Sequence, residues 1–125
     1  MKRAVIQIRQ NDDEITALRA MGQGFAAAWN SGEVQNPAAV LTFSSPAQLF
    51  SVISPRRWEL IERLQAIGPV SIRGLARALE RDVKRVHEDV VALEEWGLVS
   101  RDAAGKILVP FEEIEADFVL KAAAA

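Results

Sequence analysis

Hydrophobic residues recur with two different periods along the chain. Near the N-terminus they occupy every second position, at Ala4, Ile6 and Ile8, whereas from residue 54 onward they recur at every third or fourth position. The first period is typical of a strand with one buried face, and the second is typical of an amphipathic helix. The sequence therefore predicts an α+β fold.

Residues 1–53 are predicted to form an N-terminal extension. A strand over residues 4–9 is followed by a helix that begins at Asn11, where a cap residue and acidic side chains precede apolar positions at mostly helical spacing. A second strand covers Ala39–Phe43. Ser44-Ser45-Pro46 then starts a short helix that carries Leu49, Phe50 and Ile53.

Residues 54–109 carry the signals of three successive helices. Ser54-Pro55, Ser71 and Asp82 stand at the predicted starts, because a side-chain oxygen there can accept a backbone N–H of the first turn. Gly68-Pro69 and Gly97 mark two of the ends. The residues predicted to face the core are Trp58, Leu60, Ile61, Leu64, Ile67, Ile72, Leu75, Ala76, Leu79, Val86, Val90 and Leu93.

Two β-capable runs follow the third helix. Leu98–Arg101 and Lys106–Val109 flank the turn residues Asp102-Ala103-Ala104-Gly105, and this arrangement predicts a hairpin. Three helices followed by a β-hairpin indicate a winged helix-turn-helix domain in which the hairpin is the wing. The sequence thus predicts that residues 54–109 bind DNA.

Residues 110–125 are predicted to form a C-terminal strand and tail. Apolar and polar residues alternate from Ile114 to Leu120, with Ala116 and Phe118 on the apolar side, which is typical of a strand with one buried face. That face needs cover, and the N-terminal strand can supply it either within the chain or across a dimer. Residues 1–53 are therefore also a candidate dimerisation element.

Composition narrows the function classes. The 125 residues include no cysteine and one histidine, His87, which excludes a disulfide framework, a thiolate metal site and an imidazole cluster. A glycine-rich phosphate loop and a nucleophile elbow are also missing from the sequence. We therefore expect no enzyme, no cofactor and no metal. The apolar runs are too short for a membrane span or a signal sequence, so we expect a cytoplasmic protein without a membrane partner.

The net charge of −2 argues against nucleic-acid binding when it is taken over the whole chain. The distribution of charge changes this interpretation. Residues 73–85 contain five basic side chains and only two acidic ones, Glu80 and Asp82. A local basic surface is therefore compatible with an acidic protein.

The third helix offers the candidate DNA-reading surface. At about 100° per residue, its solvent side and the flanks of that side carry Arg81, Lys84, Arg85, His87 and Glu88. Arginine and lysine suit guanine edges or phosphates, histidine can reach a base or a phosphate, and glutamate can accept from cytosine N4. Which side chain takes which role stays open at this stage.

Two pairs of residues outside the third helix are candidate phosphate contacts. Ser71 and Arg73 lie at the start of the second helix, where a hydroxyl, a cation and free backbone amides converge. Arg101 and Lys106 flank the tip of the hairpin and would make it a basic wing.

The run from Gly68 to Val99 resembles the core of winged-helix transcriptional regulators of the MarR-like kind. Leu75-Ala76 matches the "Leu-Ala" of the second helix in that pattern, and Leu93 to Val99 matches the "Leu-x-x-x-Gly-Leu-Val" that closes the recognition helix. Pro110 to Ile114 is similar to the strand that follows this domain in short prokaryotic predicted DNA-binding proteins. The resemblance covers about residues 40–122 and implies a small transcriptional regulator.

Two function classes stay open. The first is a sequence-specific regulator that binds double-stranded DNA as a homodimer, because two half-sites multiply affinity. The second is a protein-interaction winged helix, for instance the antitoxin partner of a small toxin.

Overall fold

The computed structural model describes residues 2–9 and 37–120, and the structural statements below refer to these ranges. In chain order the elements are β1 (Arg3–Ile8), β2 (Ala39–Phe43), α1 (Pro46–Val52), α2 (Pro55–Ile67), α3 (Ile72–Leu79), α4 (Val83–Glu95), β3 (Ser100–Arg101), β4 (Ile107–Leu108) and β5 (Glu113–Ala116). This is an α+β fold, as the hydrophobic periods predict. The helix predicted to begin at Asn11 lies outside the described residues.

Every helix of the described ranges begins at a side chain that caps it. At each cap a side-chain oxygen accepts a hydrogen bond from the backbone N–H three residues later, and these caps are Ser45, Ser54, Ser71 and Asp82. α1 and α2 also have a proline in the first turn, where a fixed φ suits the helix and the missing N–H costs nothing. The helix starts predicted from the sequence are confirmed.

The N- and C-terminal segments meet in one parallel sheet of order β2-β1-β5. The central strand places Ala4 beside Ala39 on one side and beside Ile114 on the other. β5 therefore pairs with β1 of the same chain. The sequence left open whether the N-terminal strand would cover it within the chain or across a dimer, and the pairing lies within the chain. The reason for expecting a dimer that rested on two unpaired terminal strands no longer holds.

The strand predicted over residues 114–120 is wrong beyond Ala116. Ala116 pairs with Ile6, and the last two residues of β1, Gln7 and Ile8, have no partner on β5. The chain leaves the sheet there, and Val119 and Leu120 are 74% and 72% exposed. The alternation of apolar residues in this segment does not reflect a buried face, because Ala116 and Phe118 are exposed as well.

The helices and the sheet share one hydrophobic core. Its members come from the sheet, from α1 to α4 and from the hairpin, and they include Ala4, Ile6, Leu41, Phe43, Leu49, Leu60, Leu64, Leu75, Val86, Val90, Leu93, Leu98 and Ile107. One predicted core residue is placed differently. Ile67 is 40% exposed because α2 ends there and Gly68, with φ of +78°, turns the chain away. In the described ranges, no helix has the length and apolar character needed to cross a membrane.

A stacked pair of aromatic rings joins the sheet to the end of α4. The rings of Phe43 and Trp96 lie with centroids 4.5 Å apart and planes inclined by 19°. Phe43 is fully buried, and Trp96 packs against the core while remaining partly exposed. This pair fixes the sheet against the C-terminal end of α4.

We expect Trp96→Ala to destabilise the fold by about 2–4 kcal/mol, because it removes both a large apolar contact and the stacking geometry. The free energy of unfolding measured with urea gives the value. Phe50→Ala is the matched control, since the Phe50 side chain is 51% exposed and its ring meets Phe118 edge-on at 6.4 Å. An equal loss for both variants would contradict the role given to the Phe43–Trp96 stack.

Candidate nucleic-acid interface

A short turn sets the angle between α3 and α4. Glu80 adopts the left-handed conformation (φ 54°, ψ 45°), and its backbone N–H donates to the carbonyls that end α3. The N–H of Arg81 donates to the Ala76 carbonyl at 3.0 Å, and Asp82 then caps α4 through a 3.3 Å bond from the Arg85 N–H. Three residues thus connect the two helices with their backbone groups largely bonded.

α4 has a fully buried face and a solvent face. Val86, Val90 and Leu93 are fully buried, as the sequence predicts. Four of the five predicted reading residues are exposed, namely Lys84, Arg85, His87 and Glu88. Within the described ranges none of these four side chains forms a salt bridge. The first two turns of α4 therefore present unpaired charge to an approaching partner.

One carboxylate joins α4 to two other elements. Asp89 Oδ1 lies 3.0 Å from Arg57 Nε on α2, and Asp89 Oδ2 lies 2.8 Å from Arg81 Nη2 in the turn before α4. Arg57 Nη1 also donates to the Val52 carbonyl at 2.6 Å. The three charged side chains are only 16–23% exposed. This Arg57–Asp89–Arg81 network ties the middle of α4 to α2 and to the turn before α4.

The assignment of Arg81 as a DNA-contacting residue needs correction. Its side chain is 16% exposed, and its guanidinium is bonded to Asp89 rather than presented to solvent. Its Nε and Nη1 atoms are buried and have no acceptor among the described residues. A helical wheel places Arg81 on the outer side because it cannot show the carboxylate that draws the side chain inward. Arg81 is thus a positioning residue for α4.

An open depression lies where the start of α2 meets the turn before α4. Its volume is about 550 Å³, and it is lined by Arg56, Glu80, Arg81, Asp82 and Arg85. Arg56 and Arg85 are exposed and form no salt bridge within the described ranges. Sequence reasoning missed Arg56, although the Arg56-Arg57 pair in the first turn of a helix was a visible signal.

The β3–β4 hairpin is tied to the residue that precedes α3. Val70 and Ile107 exchange backbone hydrogen bonds of 3.1 and 2.8 Å, so the chain before α3 lies beside β4. At the tip, Asp102 Oδ1 accepts the N–H groups of Ala104 and Lys106, both at 2.9 Å. The tip is well defined, and Lys106 is exposed on it.

Arg101 is only partly available as the second basic residue of the hairpin. Its Nη2 lies 2.9 Å from Glu94 Oε1 on α4, and its Nε donates to both oxygens of the same carboxylate. The hydrogen bond and the charge of Glu94 raise the pKa of Arg101 above its usual value. Glu94 lies near the C-terminal end of α4, and the hairpin folds back to meet it. The basic charge of the tip therefore comes mainly from Lys106.

The start of α3 adds two exposed candidates. Ser71 Oγ accepts the Gly74 N–H at 3.0 Å, and Arg73 is exposed beside it. Gly74 is needed here for space, since a Cβ would lie 2.7 Å from Val70 Cγ2. Glycine at this position lets the residue that bonds the hairpin pack directly on α3.

The structure brings most of the predicted residues into two regions, the start of α4 with its depression and the tip of the hairpin. The residues missed from the sequence are Arg56, Arg57 and Asp89. Arg57 and Asp89 are 32 positions apart, so no local spacing could reveal their contact. Within the described ranges there is also no group of three or more His, Asp or Glu side chains placed to hold a metal ion.

The sequence model of one protein family, HVO_A0114, matches residues 52–116, which is just over half of the chain. The matched segment contains α2, α3, α4, the hairpin and β5. No curated protein and no solved structure matches the chain. The family name describes no activity.

We expect Asp89→Asn to destabilise the fold by about 1–3 kcal/mol, because it leaves two partly buried guanidinium groups without their charged partner. Urea unfolding measures this loss. Glu94→Gln is the matched control, since it breaks an ion pair whose arginine is 42% exposed, and such surface pairs contribute little. If both variants unfolded at the same midpoint as the parent, Asp89 would not position α4.

Proposed function

The chain belongs to the HVO_A0114 family, and we propose that it binds double-stranded DNA through a winged helix-turn-helix. In this proposal α2, α3 and α4 are the three helices, α4 reads the major groove, and the β3–β4 hairpin is the wing. The protein acts as a small transcriptional regulator. It binds without a catalytic step and without a cofactor.

The observation that carries the proposal is the unpaired basic start of α4. Lys84 and Arg85 are exposed and form no salt bridge within the described ranges, while the opposite side of the same helix is fully buried. A helix held in this way can enter a groove without losing core contacts. His87 and Glu88 follow on the same solvent side and are available for base edges.

Phosphate contacts would come from elements on either side of α4. Arg56 faces the depression beside Arg85, and Lys106 lies at the tip of the hairpin. Ser71 and Arg73 stand at the start of α3, where first-turn amides favour an anion. These residues would fix the position of the helix on the duplex, whereas base contacts from α4 would give specificity.

We propose that the protein binds DNA as a homodimer in the cytoplasm, the compartment that holds prokaryotic DNA. Two copies of α4 could read two half-sites, and the second contact raises the affinity of the first. The dimer also doubles the number of exposed basic side chains that can meet the duplex, although the net charge of one chain is −2.

A second candidate function is a protein-interaction module, for instance the antitoxin partner of a small toxin. The observation in its favour is apolar surface on α4, where Val83 is 42% exposed and Val91 is 38% exposed. Such residues suit a protein partner better than a phosphate backbone. Co-purification of a stoichiometric small protein, together with no retardation of duplex DNA, would favour this candidate.

We expect replacement of Lys84 and Arg85 by alanine to leave the melting temperature nearly unchanged and to weaken DNA binding. Surface substitutions usually change stability by less than about 0.5 kcal/mol, whereas a lost base contact costs about 1–3 kcal/mol of binding free energy. Electrophoretic retardation on a duplex selected from a genomic library measures affinity. Each single variant tested on selected and random duplexes then separates base contacts from phosphate contacts.

The control for this experiment is Val90→Asp, which should unfold the domain because it buries a charge in the core. If the double variant bound the selected duplex as tightly as the parent, α4 would not be the reading helix. The interaction-module candidate would then be preferred.

We expect Arg56→Ala to weaken binding to all duplexes alike and to lower the slope of log affinity against log salt by about one. The physical reason is the loss of one phosphate contact and of the counterion that it displaces. Arg63→Ala is the matched control, because Arg63 is also exposed on α2 but borders a surface shared with Glu59 and Glu62. If the parent and Arg56→Ala had the same slope of log affinity against log salt, Arg56 would make no phosphate contact and the DNA would lie elsewhere on the surface.

A further inference from the structure

The two outer strands of the parallel sheet differ in how their edges are protected. Within the described ranges β2 pairs only with β1, and so does β5. β5 carries Glu113 and Glu115, and charged side chains discourage pairing with another chain. β2 consists of Ala-Val-Leu-Thr-Phe, with neither a charge nor a proline. Among the described residues, the edge of β2 therefore lacks the usual features that prevent an edge strand from pairing.

An exposed apolar side chain accompanies this edge. Val40, on the side of β2 that faces away from the core, is 52% exposed. Leu41 and Phe43 alternate with Val40 and Thr42 and are buried in the core. A strand added at this edge would extend the buried face of the sheet as well as its backbone ladder.

We propose that β2 pairs with β2 of a second copy of this chain, antiparallel and centred on Leu41, to form one six-stranded sheet. The inference specifies the interface of the dimer and rests on that part of the proposed function, but not on DNA binding. We assign a second copy of the chain as the partner of this edge because the edge is self-complementary. The same five uncharged residues would lie on both sides of the contact. A two-fold axis relates two identical strands antiparallel and closes after two subunits.

The centre at Leu41 follows from the length of β2 and from its alternation. Only this centre pairs the whole strand, with Ala39 opposite Phe43, Val40 opposite Thr42 and Leu41 opposite Leu41 of the other subunit. It also keeps the buried residues of both strands on one face. Pairing of β2 with β5 of another copy would instead be head-to-tail and would generate an open filament. Glu113 and Glu115 oppose that arrangement.

The proposed register gives a charge test. Val40→Lys with Thr42→Lys places like charges opposite each other twice, and we expect it to weaken dimerisation by about tenfold or more. Val40→Lys with Thr42→Glu places opposite charges at the same two positions, so we expect it to dimerise as the parent does. Both positions are exposed, so neither pair of substitutions disturbs the core. Glu113→Lys is the control on β5 and should leave dimerisation unchanged.

Sedimentation equilibrium at tens of micromolar, with far-ultraviolet circular dichroism as a check on folding, measures the outcome. A dimeric parent, a dissociated lysine pair and a restored lysine-glutamate pair support the proposal. A monomeric parent, a lysine pair that remains dimeric, or a lysine-glutamate pair that dissociates while folded would each overturn it. If either pair of substitutions unfolded the chain, two single variants would be compared instead. Thr42→Lys places its charge opposite the uncharged Val40 of the other subunit and serves as the control. Thr42→Pro removes a backbone N–H at the edge of the sheet and should dissociate the dimer.

DNA binding is measured separately on a duplex that contains one half-site. A dimer that binds no DNA would reject the proposed function and keep the interface. A monomer that binds a single half-site would reject the interface and keep DNA binding. The two failures are therefore distinguishable.

Discussion

The position of α4 depends on one partly buried carboxylate that is shared by two arginines. Asp89 lies on α4, whereas Arg57 comes from α2 and Arg81 from the turn between α3 and α4. Each guanidinium would be costly at this depth without an anion, and the carboxylate would be costly without a cation. The three groups are therefore stable only together, and together they set the orientation of the three helices. Hydrophobic burial brings the helices into contact, but it defines the angle between them less narrowly than these directional charged contacts do.

The same network decides which arginines can meet a partner. Four arginines lie near the start of α4, and two of them share the single negative charge of Asp89. Arg56 and Arg85 are left exposed, on different helices, beside one depression. A count of basic residues along the sequence would overstate the free positive charge of this region. The hairpin shows the same effect, because Glu94 binds Arg101 and leaves Lys106 as its free cation among the described residues.

The sequence predicted the features that depend on neighbouring residues. Caps at Ser54, Ser71 and Asp82, and the buried face of α4, follow from spacings of three or four positions. The predictions were wrong where the structure depends on contacts between residues that are far apart in the chain. The inward turn of Arg81 depends on Asp89, and β5 pairs with β1, a strand more than one hundred positions earlier in the chain. The alternation of residues 114–120 gave no information on where that pairing ends.

The place of β1 between β2 and β5 has a consequence for folding during synthesis. Arg3 pairs with Glu113, so the central strand cannot gain its second neighbour until the ribosome has released residues beyond 113. Such distant pairing is entropically costly and slow to form. The helices and hairpin, which rely on closer contacts, can assemble first. The sheet is then completed against a helical unit that is already in place, and the side of β1 opposite β2 stays unpaired until β5 has been synthesised.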